Sequence, residues 1–386
     1  MAPGRNIQGT FKDLLILNQG TFGNTSGQFN YAIPHSNYLA YLQLYIENTN
    51  GATSNTGHTI ESDISQIRLV IDGDTVWSGE PRMLRKMMHY DVGKYPDANE
   101  TQVGAAVQWC TIKIPFGRND FDRDFLLPAH KFKDIQVQID YAWTDNATTG
   151  FASSSSNAKI TITAKMLEPT SAPVQTYFLA RKQTQNTTFA STLNGTQQDI
   201  NLPVGAGNGL VRRFMAHVYE AAKQDGVAIT NYEVVLNDSV YLVKSTWRAS
   251  QTEDQNRYNA SVLKAVTVVK ADGETYASRV GRLLAPISVP SVGDRSLGAT
   301  VAGDTLTFAY AVANTGVADA TADPQYLFLE STGVPYSTMI DFGTEDIGNS
   351  INVTAPTVTS FKFRPTIGTI TSSAEFDLVV EQVMLL

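Results

Sequence analysis

The 386-residue chain holds one cysteine, five histidines and only 17% charged residues, and each shortage excludes a class of protein. A single cysteine, Cys110, permits no intrachain disulfide, so a disulfide-stapled secreted scaffold is ruled out. Its setting, Val107-Gln108-Trp109-Cys110-Thr111-Ile112, reads as a strand in which the thiol is a small buried hydrophobe. His35, His58, His89, His130 and His217 are scattered without metal-ligand spacing, so no metal site is expected. The charge that is present is acidic, 37 Asp and Glu against 29 Lys and Arg for a net -8. That argues against a basic surface that coats nucleic acid, and no direct sequence-specific nucleic-acid binding is expected. No run approaches the roughly 20 apolar residues of a membrane span, and Leu14-Leu15-Ile16-Leu17 is too short for a secretory core. Synthesis and assembly in the cytoplasm are therefore expected.

Asn, Thr, Ser and Gly fill the space that charge leaves, which favours turns and pleated surfaces over helices. Gln28 to Pro34 alternates and stops at the proline, and Tyr38 to Ile46 follows as a longer apolar run. Ser65 to Ile71 enters Asp72-Gly73-Asp74 and resumes as Thr75-Val76-Trp77, a hairpin pattern. From Pro81 to Val92, Met83, Leu84, Met87 and Met88 recur at helical spacing, with Arg82, Arg85 and Lys86 opposite. Strands resume at Val107 to Ile114, Asp134 to Trp143 and Lys159 to Met166, and Ala152 to Asn157 reads as an exposed loop.

After the proline-marked stretch Glu168 to Pro173 the order begins again. Gln198 to Pro203 is a short strand ended by proline, Leu210 to Tyr219 matches Tyr38 to Ile46, and Asn231 to Leu242 runs through an Asn237-Asp238 turn. Ser250-Gln251-Thr252-Glu253 has the form of a capping box that opens a helix. The offset of about 165 to 172 residues marks a duplication of domain length. Lys159 to Leu167 and Phe376 to Met384 close the two halves.

The chemistry is sparse. Ile200 to Gly209, ahead of Val211, Phe214, Met215, Val218, Tyr219 and Ala222 at helical spacing, imitates a dinucleotide-binding turn with Glu233 as ribose ligand. Leu210 stands where a third small residue belongs, and Pro203 falls inside the supposed central strand. Period alone leaves Leu210 to Tyr219 open between helix and strand, and the repeat favours strand. Asp72 with Asp74, and Asp122 with Asp124, read as turn residues rather than ion ligands or catalytic pairs. No catalytic residue and no cofactor is expected. One segment could touch a partner: Arg5 and Lys12 flank Phe11, Leu14, Leu15 and Leu17, which reads either as a segment tucked against its own domain or a neighbour, or as an arm on a lipid surface.

Phe29 to Pro34 with Tyr38 to Trp77, and Asn201-Leu202-Pro203 with Leu210 to Leu242, give two successive units that resemble the double jelly-roll major capsid proteins of the PRD1, PM2 and adenovirus hexon lineage. The resemblance implies an all-β fold of two consecutive eight-stranded jelly-roll β-sandwiches with short helices in connecting loops. It divides the chain into an N-terminal arm (1–27), a first jelly roll (28–170), a connection (171–197) and a second jelly roll (198–386). It also implies a non-enzymatic homotrimer, a pseudo-hexameric capsomer in the icosahedral shell of a tailless double-stranded DNA virus, such as a bacteriophage. Partners would be neighbouring capsomers, penton and minor capsid proteins, and an internal lipid membrane reached by the arm. About 40 residues of extra length are expected between Ala260 and Gly343. The rival is a double jelly-roll glycan-binding protein or glycoamidase-like hydrolase with acidic residues in the cleft between its sandwiches, and a third reading is an adhesin or fibre subunit.

Overall fold

The computed structural model describes residues 7–92, 98–170, 177–205, 207, 209–220, 227–258, 265–269, 275–278, 295–302, 305–312, 336–342 and 350–385. The first half contains strands β1 (Gly9–Thr21), β2 (Ser26–Ala32), β3 (Tyr38–Thr49), β4 (Ile64–Ile71), β5 (Asp74–Gly79), β6 (Ala98–Asn99), β7 (Val107–Pro115), β8 (Ile135–Ala142) and β9 (Lys159–Pro169). Helices α1 (Ile60–Asp63), α2 (Pro81–Val92) and α3 (Ser154–Asn157) lie between them. One sheet runs β1-β9-β3-β7-β6 and the facing strands run β5-β4-β8-β2. That interleaving, in which sequential strands alternate between sheets, is a jelly roll. Leu42, Leu44, Ile46, Ile67, Leu69, Cys110, Ile112, Val137, Ile139, Ile160 and Ile162 fill the space between the sheets.

The second half repeats the scheme with β10 (Tyr177–Ala190), β11 (Ile200–Asn201), β12 (Leu210–Tyr219), β13 (Ile229–Leu236), β14 (Val240–Thr246), α4 (Trp247–Tyr258), β15 (Ala265–Val269), β16 (Thr275–Ser278), β17 (Arg295–Ala302), β18 (Thr305–Val312), β19 (Ser337–Asp341), β20 (Ile351–Asn352), β21 (Phe361–Ile367) and β22 (Ser373–Leu385). Its sheets run β19-β12-β22-β10 and β11-β21-β13-β14 around Phe214, Tyr232, Trp247, Phe361, Phe363 and Phe376. Strands β16-β15-β18-β17 form a separate four-stranded sheet, within the stretch where the extra length was expected.

Several boundaries differ from the sequence reading. Residues 9–21, assigned to an arm, form β1 and pair antiparallel with β9 from Gly9 to Thr21. Residues 177–190, assigned to the connection, form β10 and pair along β22. Both are outer strands of their own sandwich, and β1 hides its period because Lys12 to Leu15 are exposed on both faces. Helix α4 starts at Trp247, three residues before the Ser250 capping box, because the Thr246 hydroxyl accepts from the Ala249 amide at 3.2 Å. The serine stretch is not all loop: Ser154 opens α3, is fully buried and accepts from Asn48 at 2.9 Å. Leu210 to Tyr219 is a strand, so the glycine run before it is no nucleotide turn. Gly209 is needed there because its φ is +62°, and a Cβ would lie 2.3 Å from the Val383 carbonyl oxygen.

The hairpins form as the turns dictate. Asp72 and Gly73 have φ of 49° and 93°, the left-handed pair of a two-residue turn, and Asn237 and Asp238 have 52° and 57°. Among the described residues, no helix is long and apolar enough to cross a membrane.

Candidate functional site

The two sandwiches share a continuous sheet. β5 of the first pairs parallel with β10 of the second, Trp77 beside Arg181 and Ser78 beside Lys182, which joins β19-β12-β22-β10 to β5-β4-β8-β2. Helix α2 lies across this join. Its Met83, Met87 and Tyr90 pack with Met215, Met339 and Val379 of the second half. Two of the three cations opposite its apolar stripe are buried too: Arg85, 1% exposed, pairs with Glu61 of α1, and Lys86 lies 3.2 Å from His217 Nδ1. Burial first, then the charges of Lys86 and Arg82, hold His217 well below the usual histidine range, so it is neutral.

An ion cluster bolts α2 to the second half. Arg181 donates to Glu381 at 2.7 Å and, with both terminal nitrogens, to Asp91 of α2 at 2.8 and 2.9 Å. Arg213 donates twice to Glu381 at 3.0 Å and also reaches Asp91, and Arg212 pairs with Glu381. Arg212 and Arg213 are consecutive yet meet the same carboxylate because Arg212 is the extra residue of a β-bulge against β22. Burial pushes the Glu381 carboxyl up, but Arg213, Arg181 and Arg212 together hold it well below the usual range. It is therefore ionised at neutral pH. Glu381 and Asp91, acids between the sandwiches, are tied to arginines.

The other charged candidates resolve as turn and loop supports. Asp72 Oδ1 accepts from the Lys133 and Asp134 amides, and Asp122 takes Arg118 Nε at 2.7 Å and the Arg118 amide at 3.0 Å. His58 meets Asp63 at 2.7 Å, while His35 and His130 are exposed. Cys110 is buried, and burial pushes its thiol up to about 12.

Of the proposed arm residues, Arg5 lies outside the described residues. Phe11 is half-buried against the ring of Phe121, 5.4 Å between centroids, and beneath the Arg123 guanidinium. Lys12 pairs with Glu168, and Leu14 and Leu15 are 40% and 56% exposed. Among the described residues, β14 is another edge strand with exposed apolar side chains, Val240 and Tyr241 being 49% and 55% exposed.

The halves correspond residue by residue. Asp13 is fifth in β1 and Tyr41 fourth in β3, and both lie opposite Lys165; Arg181 is fifth in β10 and Arg213 fourth in β12, and both lie opposite Glu381. Even the register shifts recur, at Ile16 and Thr184 and at Ala40 and Arg212. In the first half, Asp13 pairs with Lys165 at 2.8 Å, with signs opposite to those of Arg181 and Glu381. None of these pairs was legible in the sequence, because the partners stand far apart along the chain, 200 positions in the case of Arg181 and Glu381.

No family model and no curated protein matches the sequence. Solved structures do match. The major capsid protein of Sulfolobus Turreted Icosahedral Virus is 13% identical with a TM-score of 0.59, covering 98% of this chain and 97% of that one. The PBCV-1 capsid protein is 10% identical with a TM-score of 0.54, covering 99% and 95%. The major capsid protein P2 of bacteriophage PM2 is 12% identical with a TM-score of 0.50, covering 97% and 98%. The interleaved strand order in both halves, the sheet that joins them and these full-length matches identify the chain as a double jelly roll with the fold of viral major capsid proteins.

Proposed function

We propose that the chain is the major capsid protein of an icosahedral virus and assembles as a homotrimer in which each chain repeats, against its neighbour, the contact that joins its own two sandwiches. One observation carries this reading. Among the described residues, β14 and β1 are edge strands of their sheets, and they are the counterparts of β5 and β10, which pair inside the chain. Trp77 is fourth in β5 as Val243 is fourth in β14, so Val243 of one subunit would lie beside Asp13 of the next, and Lys244 beside Leu14. A head-to-tail contact of this kind closes into a ring, and three chains supply six sandwiches. Leu14, Leu15, Val240 and Tyr241 would be covered by a neighbouring subunit rather than by a bilayer.

Charge agrees with the docking. Asp91, eleventh residue of α2, meets Arg181; the eleventh residue of α4 is Arg257, and the counterpart of Arg181 is Asp13. The signs are reversed together, so Arg257 of one subunit suits Asp13 of the next. Both are available, with side chains 44% and 74% exposed.

Native mass spectrometry tests this. The wild type should give a species of three times 42.1 kDa. Asp13→Arg or Arg257→Asp alone should weaken the trimer by at least about tenfold, since opposed like charges cost several kcal/mol. The double swap should restore it. A monomeric wild type, or a double variant no better than the singles, would overturn the arrangement.

A further inference from the structure

We propose that Glu80, Glu375 and Asp377 form a calcium site that ties the first sandwich to the second. Glu80 follows β5 in the first half, while Glu375 and Asp377 lie two residues apart on β22, so the three side chains project from either side of the join. One oxygen from each lies within 4.8 Å of the others. Two oxygens bound to one calcium ion at 2.3 to 2.6 Å can be at most about 5 Å apart, so the trio could close on that ion with only a small inward movement of its side chains.

The cluster is more than a group of surface acids. Asp377 is fully buried, and its Oδ1 accepts from Gln183 Nε2 at 2.8 Å, but Oδ2 is buried with no hydrogen bond. A buried carboxylate oxygen left in that state is costly unless a cation meets it or the group takes up a proton. The nearest, Arg82 Nη2, is 3.9 Å from it, beyond hydrogen-bond reach, and is engaged with Glu375 Oε1 at 2.5 Å. Glu80 Oε2 is 3.6 Å from Arg82, and Glu80 Oε1 accepts from Asn186 at 2.5 Å. Burial, with Glu80 and Glu375 beside it, pushes the Asp377 carboxyl up to about 7; above that pH one guanidinium against three carboxylates leaves two negative charges, the number a divalent cation neutralises. All three donors are hard oxygens, the set that selects calcium or magnesium over softer metals.

The site would belong to the join within the chain and not to the contact between subunits. Glu80 follows the last residue of β5, and the position after its counterpart in β14 is Thr246. Neither a carboxylate there nor an acidic pair on β9 is present, since β9 reads Lys159-Ile-Thr-Ile-Thr-Ala-Lys-Met-Leu-Glu-Pro169 with its one acid, Glu168, near the end.

Equilibrium dialysis of the full chain against radioactive calcium chloride, at free calcium up to about 10⁻³ M, tests the proposal. About one ion per chain is expected, retained in equimolar magnesium and lost in Glu375→Gln and in Asp377→Asn. The Glu375 side chain is one-third exposed, so its variant should keep the fold, which circular dichroism checks. Calcium should also raise the melting temperature of the wild type and not of Glu375→Gln, because a ligand at 100 times its Kd shifts the folding equilibrium about 100-fold. No bound calcium in the wild type, or calcium retained by both variants, would overturn the site.

Discussion

Strands β3 and β12 hold the same place in the two sandwiches, yet β3 alternates between buried and half-exposed residues while β12 is buried almost throughout. The inward residues are alike: Leu42, Leu44 and Ile46 fill one core, and Phe214, Ala216 and Val218 the other. The difference lies outside. Arg213, Met215 and His217 are roofed by α2 of the same chain, whereas among the described residues no helix roofs their counterparts Tyr41, Gln43 and Tyr45. A surface with mixed Tyr, Gln, Thr and Lys side chains, Tyr45 against Trp109 among them, is what a partner that arrives after folding would cover. The comparison teaches that one interface geometry is used twice, once within the chain and once, on the proposed arrangement, between chains.

The largest effects should come from breaking the inner copy. Glu381→Gln would leave Arg181, Arg212 and Arg213 around a neutral amide, and loss of one partner of a buried ion cluster costs about 3–5 kcal/mol. Lys165→Met removes the corresponding charge in the first half, where Asp13 is well exposed, and should cost no more than about 1 kcal/mol. Urea denaturation of the two variants checks the contrast; equal losses would mean that the outer pair is as structural as the inner one.

A second pair separates folding from assembly. Tyr45 and His217 are each eighth in their strand. His217→Lys puts a charge into a site that keeps histidine neutral, beside Lys86, and should destabilise the chain by several kcal/mol. Tyr45→Lys should leave the monomer's stability within about 0.5 kcal/mol of wild type and weaken the proposed trimer instead. Light scattering and urea titration read the two outcomes separately, and a Tyr45→Lys protein that loses stability without losing assembly would break the comparison.

Much of this fold was legible because local chemistry wrote it. Asp72-Gly73 can take the left-handed turn, Met83, Leu84, Met87 and Met88 mark the apolar stripe of α2, and the order of elements recurs with a nearly constant offset. The surfaces proposed for assembly and the charged join were not legible, for two physical reasons. β1 is an edge strand whose Leu14 and Leu15 are both exposed, so it carries no one-sided pattern and reads as an arm. The polar face of α2 looked solvated because Glu61, the acid that buries Arg85, comes from another element, as does Glu381, which gathers residues 168 to 200 positions away.

A pH dependence distinguishes the two helices. Asp254 is the eighth residue of α4, where α2 has Met88. Burial pushes its carboxyl up to about 7, although the Met339 amide at 2.8 Å and the Thr338 hydroxyl at 3.0 Å both donate to it and favour the charged form. The folded chain therefore takes up this proton near pH 7 and the unfolded chain only near 3.8. Between those values the folded state binds more protons, so stability falls as pH rises from about 4 to about 7 and is flat above that. Asp254→Asn should remove this share of the slope, so that the wild type gains on the variant when urea midpoints are compared at pH 8 and then at pH 5. If the two proteins run parallel, Asp254 is ionised in the folded state and α4 is set in place by its two accepted hydrogen bonds alone. Met88 offers no such group, so Met88→Leu in α2 should leave the slope unchanged.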